Sequence, residues 1–411
     1  MKILEILAQK IAEKSSQIEE FFAQKFSQNP PLFYNSVDLR HSGVKLAPVD
    51  TNCYPAGFNN LSAASQIEAQ KIADEFFLKN FPGAKKIIII AESHTRNLRY
   101  LENVRRLAEI ISASRKVVVG TLLTEVENKT TADLENGHFL ELHALEKDAG
   151  KISTKSGFVA DVAILNNDLS SGIPELFLDC QTPIEPSPLL GWHARRKSTH
   201  FTIYNELAKE LAAILSIDSW LISSLHKTCE KVNFKERVGL DCLANHVEEI
   251  LAELRKKYAE FGINEEPYCY IKADSGTYGI GVWPVFSGQE VLEINKKERN
   301  KMHMLKGSVQ NTRVMIQEGI KTIDKIDGKI AEPMIYLING QVVGNLFRAN
   351  QERNEKISLN AAGAEFFDLQ NLSQNQLQLG LEKNHLAPAY SLISRLAALA
   401  AAIENQQLKN D

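Results

Sequence analysis

The sequence predicts a mixed α/β fold with two distinct textures. Between residues 62 and 124 helical and strand patterns alternate, and after Pro267 short β-type runs dominate. A third observation is the stretch joining two of those runs, YIKADSGTYGIGVW (270–283), which places Gly276, Gly279 and Gly281 within six positions. Alternating patterns signal a parallel sheet covered by helices. Closely spaced strands divided by turn residues signal antiparallel hairpins.

Residues 1–28 read as an amphipathic helix, apolar at Ile3, Ile6, Leu7 and Ile11 and again at Phe21, Phe22 and Phe26. The Pro-, Asn- and Gly-rich stretch 29–61 reads as a long ordered loop, because its aromatics are interleaved with polar groups. A helix is expected over 62–80, a buried strand over 85–92, a helix over 96–114, and strands over 116–124 and 162–168. Residues 125–160 are polar and show no clear period. Helices are expected at 200–216 and 242–262, then strands at 268–273, 282–286, 312–317, 329–338 and 341–348. Asn339-Gly340 between the last two is a strong hairpin-turn signal. An alanine-rich helix over about 386–406 closes the pattern.

Composition narrows the function classes. The chain is 44% hydrophobic and 24% charged, as ordinary globular proteins are. Its net charge of −4 argues against a general nucleic-acid binder, which carries a basic excess. Five scattered cysteines without a C-x-x-C pair suit reduced thiols, and the ten histidines show no H-E-x-x-H or other zinc spacing. Glu5 and Glu13 inside the first apolar pattern exclude a signal peptide. The longest pure apolar runs, Ile87–Ala91 and Leu396–Ile403, fall short of the ~20 residues a bilayer span needs. The expectation is a cytoplasmic protein with no membrane and no nucleic-acid partner.

Gly276-Thr277-Tyr278-Gly279-Ile280-Gly281 is G-x-x-G-x-G with no helical pattern after it, so neither the dinucleotide fingerprint nor the P-loop applies. What remains is a strand–loop–strand hairpin whose bare backbone can approach an anion. Lys272 would add a point charge toward phosphates, and Ser275 and Thr277 hydroxyl donors. An ordinary glycine-rich turn is the plain alternative. Downstream, Gln317-Glu318-Gly319 ends a strand in a short hinge able to offer backbone groups to an adenine edge. Glu332 lies in one strand, Arg348 at the end of its hairpin partner, and Asn360 in a turn near Gly363. A carboxylate with an amide oxygen suits Mg²⁺ held partly by phosphates. A nearby arginine would neutralise charge developing in phosphoryl transfer.

Upstream, residues 37–61 supply Asp38, Arg40, Lys45, Asp50 and Asn52. This set reads either as a solvated loop or as a pocket for a small zwitterion, with the cations for its carboxylate and the aspartates for its ammonium. Arg195, Arg196 and Lys197, beside Trp192, His193 and His200, form a basic patch. It reads as an exposed turn or as an anion contact, and Arg195 is the candidate for the latter.

The order Lys272, glycine loop, Glu318, Glu332, Arg348 and Asn360 resembles the ATP-grasp fold over residues 267–370. That resemblance implies two α+β lobes enclosing ATP, here preceded by an α/β N-terminal domain. With P-V-D-T-N-x-Y-P-A-G-F-N-N (48–60), Q-E-G (317–319) and A-E-P (331–333), the chain resembles the proteobacterial ATP-grasp-type glutamate–cysteine ligases. The likeness implies ATP and Mg²⁺ as cofactors and glutamate and cysteine as substrates. It implies a γ-glutamyl phosphate that the cysteine amine attacks, the first step of glutathione biosynthesis. In this scheme Lys272 and the 275–281 backbone meet the phosphates, Gln317, Glu318 and Gly319 the adenine, and Glu332 and Asn360 the metal. Arg348 steadies the transferred group, and Asp38, Arg40, Lys45, Asp50, Asn52 and Arg195 recognise the amino acids. Ser358 stands where such ligases carry an acidic metal ligand. Two other readings use the same residues: another carboxylate–amine ligase (glutathione synthetase-like or dipeptide-forming), and an ATP-binding protein without chemistry. The corresponding division is 1–61 helix and substrate loop, 62–235 α/β domain, 236–385 nucleotide-binding lobes and 386–411 C-terminal helix.

Overall fold

Three sheets carry the architecture of the computed structural model, which describes residues 2–93, 97–276, 281–303, 311–377 and 383–410. In the first sheet, Lys86–Ala91 pairs in parallel with Lys116–Thr121 on one side and Val162–Asn166 on the other. Its four-isoleucine run shows no alternation because both faces are buried. Ile87 and Ile89 pack with Phe76, Phe77, Val104 and Leu107 of helices Ala63–Asn80 and Leu98–Ser112, while Ile88 and Ile90 join a separate cluster.

Residues 125–160, which show no period in sequence, extend this sheet through strands Lys129–Asp133, Phe139–Asp148 and Lys151–Thr154. Leu140, Leu142 and Ala144 do face inward at alternate positions, but apolar Phe139 and Leu145 on the other face blur the signal.

The second sheet corrects the expectation of a long loop over 29–61. That stretch holds two strands, Tyr34–His41 and Leu46–Asn52, paired antiparallel. Tyr34–His41 pairs in turn with Lys329–Ile338, followed by Gln341–Asn350 and Glu365–Asp368. Segments 1–61 and 236–385 therefore share one layer. The hairpin between 329–338 and 341–350 turns at Asn339 (φ 51°) and Gly340 (φ 70°), both left-handed as a type I′ turn requires.

One face of this sheet is covered by helix Lys383–Asn410. Val37, Leu39, Ala331, Ile335, Leu337 and Phe347 pack there with Leu396, Ala397, Leu399 and Ala400. By composition that helix is long and apolar enough to cross a bilayer, but 72% of its apolar window is buried inside the protein.

The third sheet is small and antiparallel, in the order His226–Cys229, Val314–Glu318, Cys269–Ala273, Val282–Val285. Helix Leu240–Glu260 covers it through Leu243, Val247, Ile250 and Leu251. The glycine loop joins Cys269–Ala273 to Val282–Val285, giving the expected hairpin.

Ile335 has no exposed surface and lies between sheet and helix. Ile335→Ala should lower the unfolding free energy by ~2–5 kcal/mol, as the lost transfer energy and the cavity add. A urea titration reads this, and an unchanged midpoint would contradict the assigned packing.

Candidate active site

The face of the large sheet turned away from the helix carries the charge. Because side chains alternate along a strand, Asp38 and Arg40 point opposite to Val37 and Leu39. Asp50 lies directly across from Asp38, and Glu332 directly across from Arg348. Arg348 spans two strands, giving Nη1 to Glu332 Oε1 at 2.8 Å and Nη2 to Asp38 Oδ2 at 3.1 Å. Arg40 Nε donates to Glu332 Oε2 at 3.1 Å, so both oxygens of Glu332 are held by guanidinium groups. The remaining Arg40 nitrogens reach Tyr270 Oη at 2.8 Å and the carbonyls of Ile320 (3.1 Å) and Ile357 (2.6 Å). Asp38 Oδ1 is buried and has no hydrogen-bond partner among the described residues. Burial pushes the Asp38 carboxyl up, Arg348 pulls it down, and Glu332 and Asp50 push it up further; the net direction is upward.

Lys272 approaches from the small sheet. Its Nζ donates to Val49 O at 3.0 Å and to Gln317 Oε1 at 2.6 Å, so it touches both sheets. Burial pulls this ammonium down to about 7 despite the attraction of Asp50. Lys197 Nζ lies 2.5 Å from Asp50 Oδ1. Burial alone would raise Asp50, but Lys197 first and Lys272 after it leave the carboxyl below its usual range. Lys197 opens helix Lys197–Leu215, whose N-terminus is fixed by Asp274 at the base of the glycine loop. Asp274 accepts from Ser198 N at 2.8 Å and Ser198 Oγ at 2.7 Å, an acidic contact that suits a helix start.

These groups line a cleft between the two sheets. Its lining holds three carboxylates (Asp38, Asp50, Glu332) and four cations (Arg40, Lys197, Lys272, Arg348), a surplus of positive charge suited to an anion.

Of the residues singled out in the sequence, Asp38, Arg40, Asp50, Lys272, Ser275, Gly276, Glu332, Arg348 and Asn360 meet in this cleft. Gly276 has φ 103°, a conformation that favours glycine, and Gly281 closes the hairpin by accepting from Ala273 N at 3.2 Å. Thr277 and Gly279 lie outside the described residues.

Other expected residues are placed elsewhere. Gln317 anchors Lys272 and donates to Ser224 Oγ at 2.9 Å. Lys45, Glu318 and Gly319 line a second cavity, walled by Trp220, Tyr258 and Tyr268. The Glu318 carboxylate is already saturated by Lys45 Nζ (2.5 Å), Trp220 Nε1 (3.1 Å) and Leu225 N (3.0 Å). The amides of Glu318 and Gly319 are likewise used by the carbonyls of Leu225 and Tyr268. Arg195 is buried against Glu404, with both Nε contacts at 3.1 Å, and donates to Thr51 O at 2.6 Å; it ties the last helix to the sheet and does not line the cleft. Asn52 stands at the strand end, also outside the lining. Sequence reasoning passed over Lys197, the neighbour but one of the chosen Arg195. It also passed over Tyr270, although Tyr270 shares a strand face with Lys272 at a spacing of two.

The cleft fits a divalent cation at one definite point, the unpartnered Asp38 Oδ1, with Asn360 and Ser358 also lining it. Glu332 could join only by releasing a guanidinium.

Two antiparallel sheets meet across the cleft, one bearing a lysine and glycine hairpin and the other a row of carboxylates and arginines, which defines an α/β protein with a cationic cleft suited to an anionic ligand. The sequence matches the family described as glutamate–cysteine ligase (GshA) over residues 8–405, and the chain belongs to that family. It is also similar to a solved structure from Methylobacillus flagellatus KT, provisionally named a γ-glutamylcysteine synthetase. The two are 35% identical with a TM-score of 0.90, over 99% of this chain and 96% of that one. A glutathione synthetase-like effector of Globodera pallida matches at 9% identity and TM-score 0.40, over 89% of this chain and 84% of its own. D-alanyl-alanine synthetase A of Vibrio cholerae O1 biovar eltor matches at 11% and 0.35, over 75% and 80%. No curated protein matches the chain in sequence.

The lowered Lys272 has a consequence for stability. Its folded pKa lies below that of a free lysine, so between about 7 and ~10.4 the unfolded chain holds the extra proton. The penalty for burying this charge is therefore complete below pH 7 and is relieved as pH rises through that window. Lys272→Met should remove this part of the upward slope of stability with pH. Urea midpoints of the two proteins measured from pH 7 to 10 should converge, and parallel curves would show that Lys272 is not buried as a charge.

Proposed function

We propose that the cleft joins the γ-carboxylate of glutamate to the amine of cysteine with ATP as the phosphoryl donor, through a γ-glutamyl phosphate. The protein is an ATP-dependent ligase of the glutamate–cysteine ligase family. The observation that carries the assignment of roles is the cationic cleft itself, in which Lys272 faces Arg348 and the Asp38–Glu332 row across two sheets.

In the first step a glutamate side-chain oxygen attacks the terminal phosphorus and ADP leaves. In the second the cysteine nitrogen attacks the acyl carbon, phosphate leaves, and the nitrogen gives up a proton. Neither step needs a protein nucleophile, so the side chains work by alignment and charge neutralisation. Lys272 and the backbone at Ser275 and Gly276 meet the phosphate oxygens. Arg348 offsets the charge that builds on the transferred group. Arg40 and Lys197 suit an amino acid's carboxylate, and Asp38 or Asp50 its ammonium. Asp38 and Asn360 would hold Mg²⁺, with Glu332 joining on releasing a guanidinium, and the ion would screen phosphate charge. The aromatic cavity beside Gly319 suits the adenine. Gly319 is obligatory there, since a Cβ would stand 2.4 Å from the Tyr268 ring.

ADP release should depend on glutamate and cysteine together, and γ-glutamylcysteine with glycine or paired alanines should not replace them. Turnover with another pair and none with this one would overturn the substrate assignment. Glu332→Gln preserves volume and should lower kcat/KM by ~10²-fold or more while far-UV circular dichroism stays unchanged. Full activity in that variant would remove Glu332 from the site.

A further inference from the structure

Away from the cleft, three ligating side chains meet where the edge strand His226–Cys229 packs on helix Leu240–Glu260. Cys229 Sγ lies 3.2 Å from Cys242 Sγ and 3.2 Å from His246 Nδ1. All three ligand atoms lie within 4.8 Å of one another. Cys242 and His246 are four residues apart on the helix and so share one face. Cys229 arrives from a different element, and no local C-x-x-C or His spacing could have announced the group.

We propose that Cys229, Cys242 and His246 form a binding site for a thiophilic divalent cation, with Zn²⁺ as the best-matched ion. Two thiolates and an imidazole are three of the four donors of a Cys₂His₂ or Cys₃His zinc centre. With Zn–S bonds of about 2.3 Å, tetrahedral geometry sets the sulfurs about 3.8 Å apart. The observed pair needs to open by only about half an ångström to reach that spacing. A disulfide would instead require the sulfurs to close to about 2.05 Å, a larger shift, and would leave the imidazole without a role.

Access is open, because Cys242 is exposed and His246 half-buried. Water can fill the fourth position. So can Glu249, three residues beyond His246, on leaving its present partner Lys227.

The site's place in the fold links it to the cleft. Cys229 is the register partner of Val314, and Val314 of Ala273, the residue at which the strand runs into the glycine-loop segment. A bound cation clamps the edge strand to its covering helix at the loop-bearing end of the small sheet.

The test uses the full-length protein, reduced with a phosphine and stripped with a chelator, then titrated with Co²⁺ and back-titrated with Zn²⁺. One equivalent of Co²⁺ should produce thiolate-to-cobalt charge-transfer absorption that Zn²⁺ abolishes. Cys242→Ser and His246→Gln should each weaken binding by more than the ~10–100-fold that follows from disturbing a ligand's own hydrogen-bond partner. Cys242 is exposed, so its variant should fold and keep the ligase rate measured with Mg²⁺ and without added Zn²⁺ or Co²⁺. Absence of the charge-transfer band, or titrations unchanged in both variants, overturns the proposal. So does formation of a Cys229–Cys242 disulfide under glutathione disulfide that neither Co²⁺ nor Zn²⁺ prevents.

Discussion

Everything in the cleft depends on Arg348 lying between Asp38 and Glu332, with Arg40 closing on Glu332 from the far side. All four residues are buried. Charges this deep survive only when paired, and removing one partner costs ~3–5 kcal/mol because the other is left without compensation. The pairs join positions 310 and 292 residues apart in sequence. The sheet must therefore bring strands from both ends of the chain into register before any of these charges can be accommodated. The apolar side of the same strands, packed under the last helix, supplies the burial that makes such register worthwhile.

That two-sidedness explains what the sequence did and did not disclose. The parallel sheet was legible because Lys86–Ala91 is buried on both faces and reads as an unbroken apolar run. The Asn339-Gly340 turn was legible because its backbone demands those residues, and with it came the facing of Glu332 and Arg348. The strands at 34–41 and 46–52 were missed although Val37, Asp38, Leu39 and Arg40 alternate faultlessly. Their polar half faces an interior cleft, and a charged residue every second position reads as an ordered loop, solvated or pocket-forming, and not as a strand. Nine of the expected site residues do meet in the cleft.

The expected residues that lie outside the cleft lining share a different cause. Glu318 and Arg195 are chemically apt for ligand binding, but each is consumed by a partner far away in sequence, Lys45 at a separation of 273 and Glu404 at 209. The cluster of Cys229, Cys242 and His246 escaped notice for the mirror-image reason, since its members become neighbours only when strand and helix pack. Residue type states what a group can do; the long-range partner decides whether the group is free to do it.

Two of the three lysines buried among the described residues show how that distinction can be read from structure. Lys45 and Lys272 are both pulled down by burial, to about 8 and about 7. Lys45 faces the carboxylate of Glu318 at 2.5 Å and stands over the Trp220 ring, so its charge is already answered. Among the described residues Lys272 donates only to a carbonyl and an amide oxygen, with the Tyr270 ring 5.4 Å away, while the nearby Asp50 is committed to Lys197. A buried ammonium with neutral acceptors bears the cost of desolvation without its usual return. An arriving phosphate would supply the missing counter-charge, raise the pKa of Lys272 and draw a proton from solution near neutral pH. Lys45 has no such deficit to make good. Of the two ammoniums, the one left electrostatically incomplete is the one that lines the cleft, and that incompleteness is what fits it to an anionic substrate.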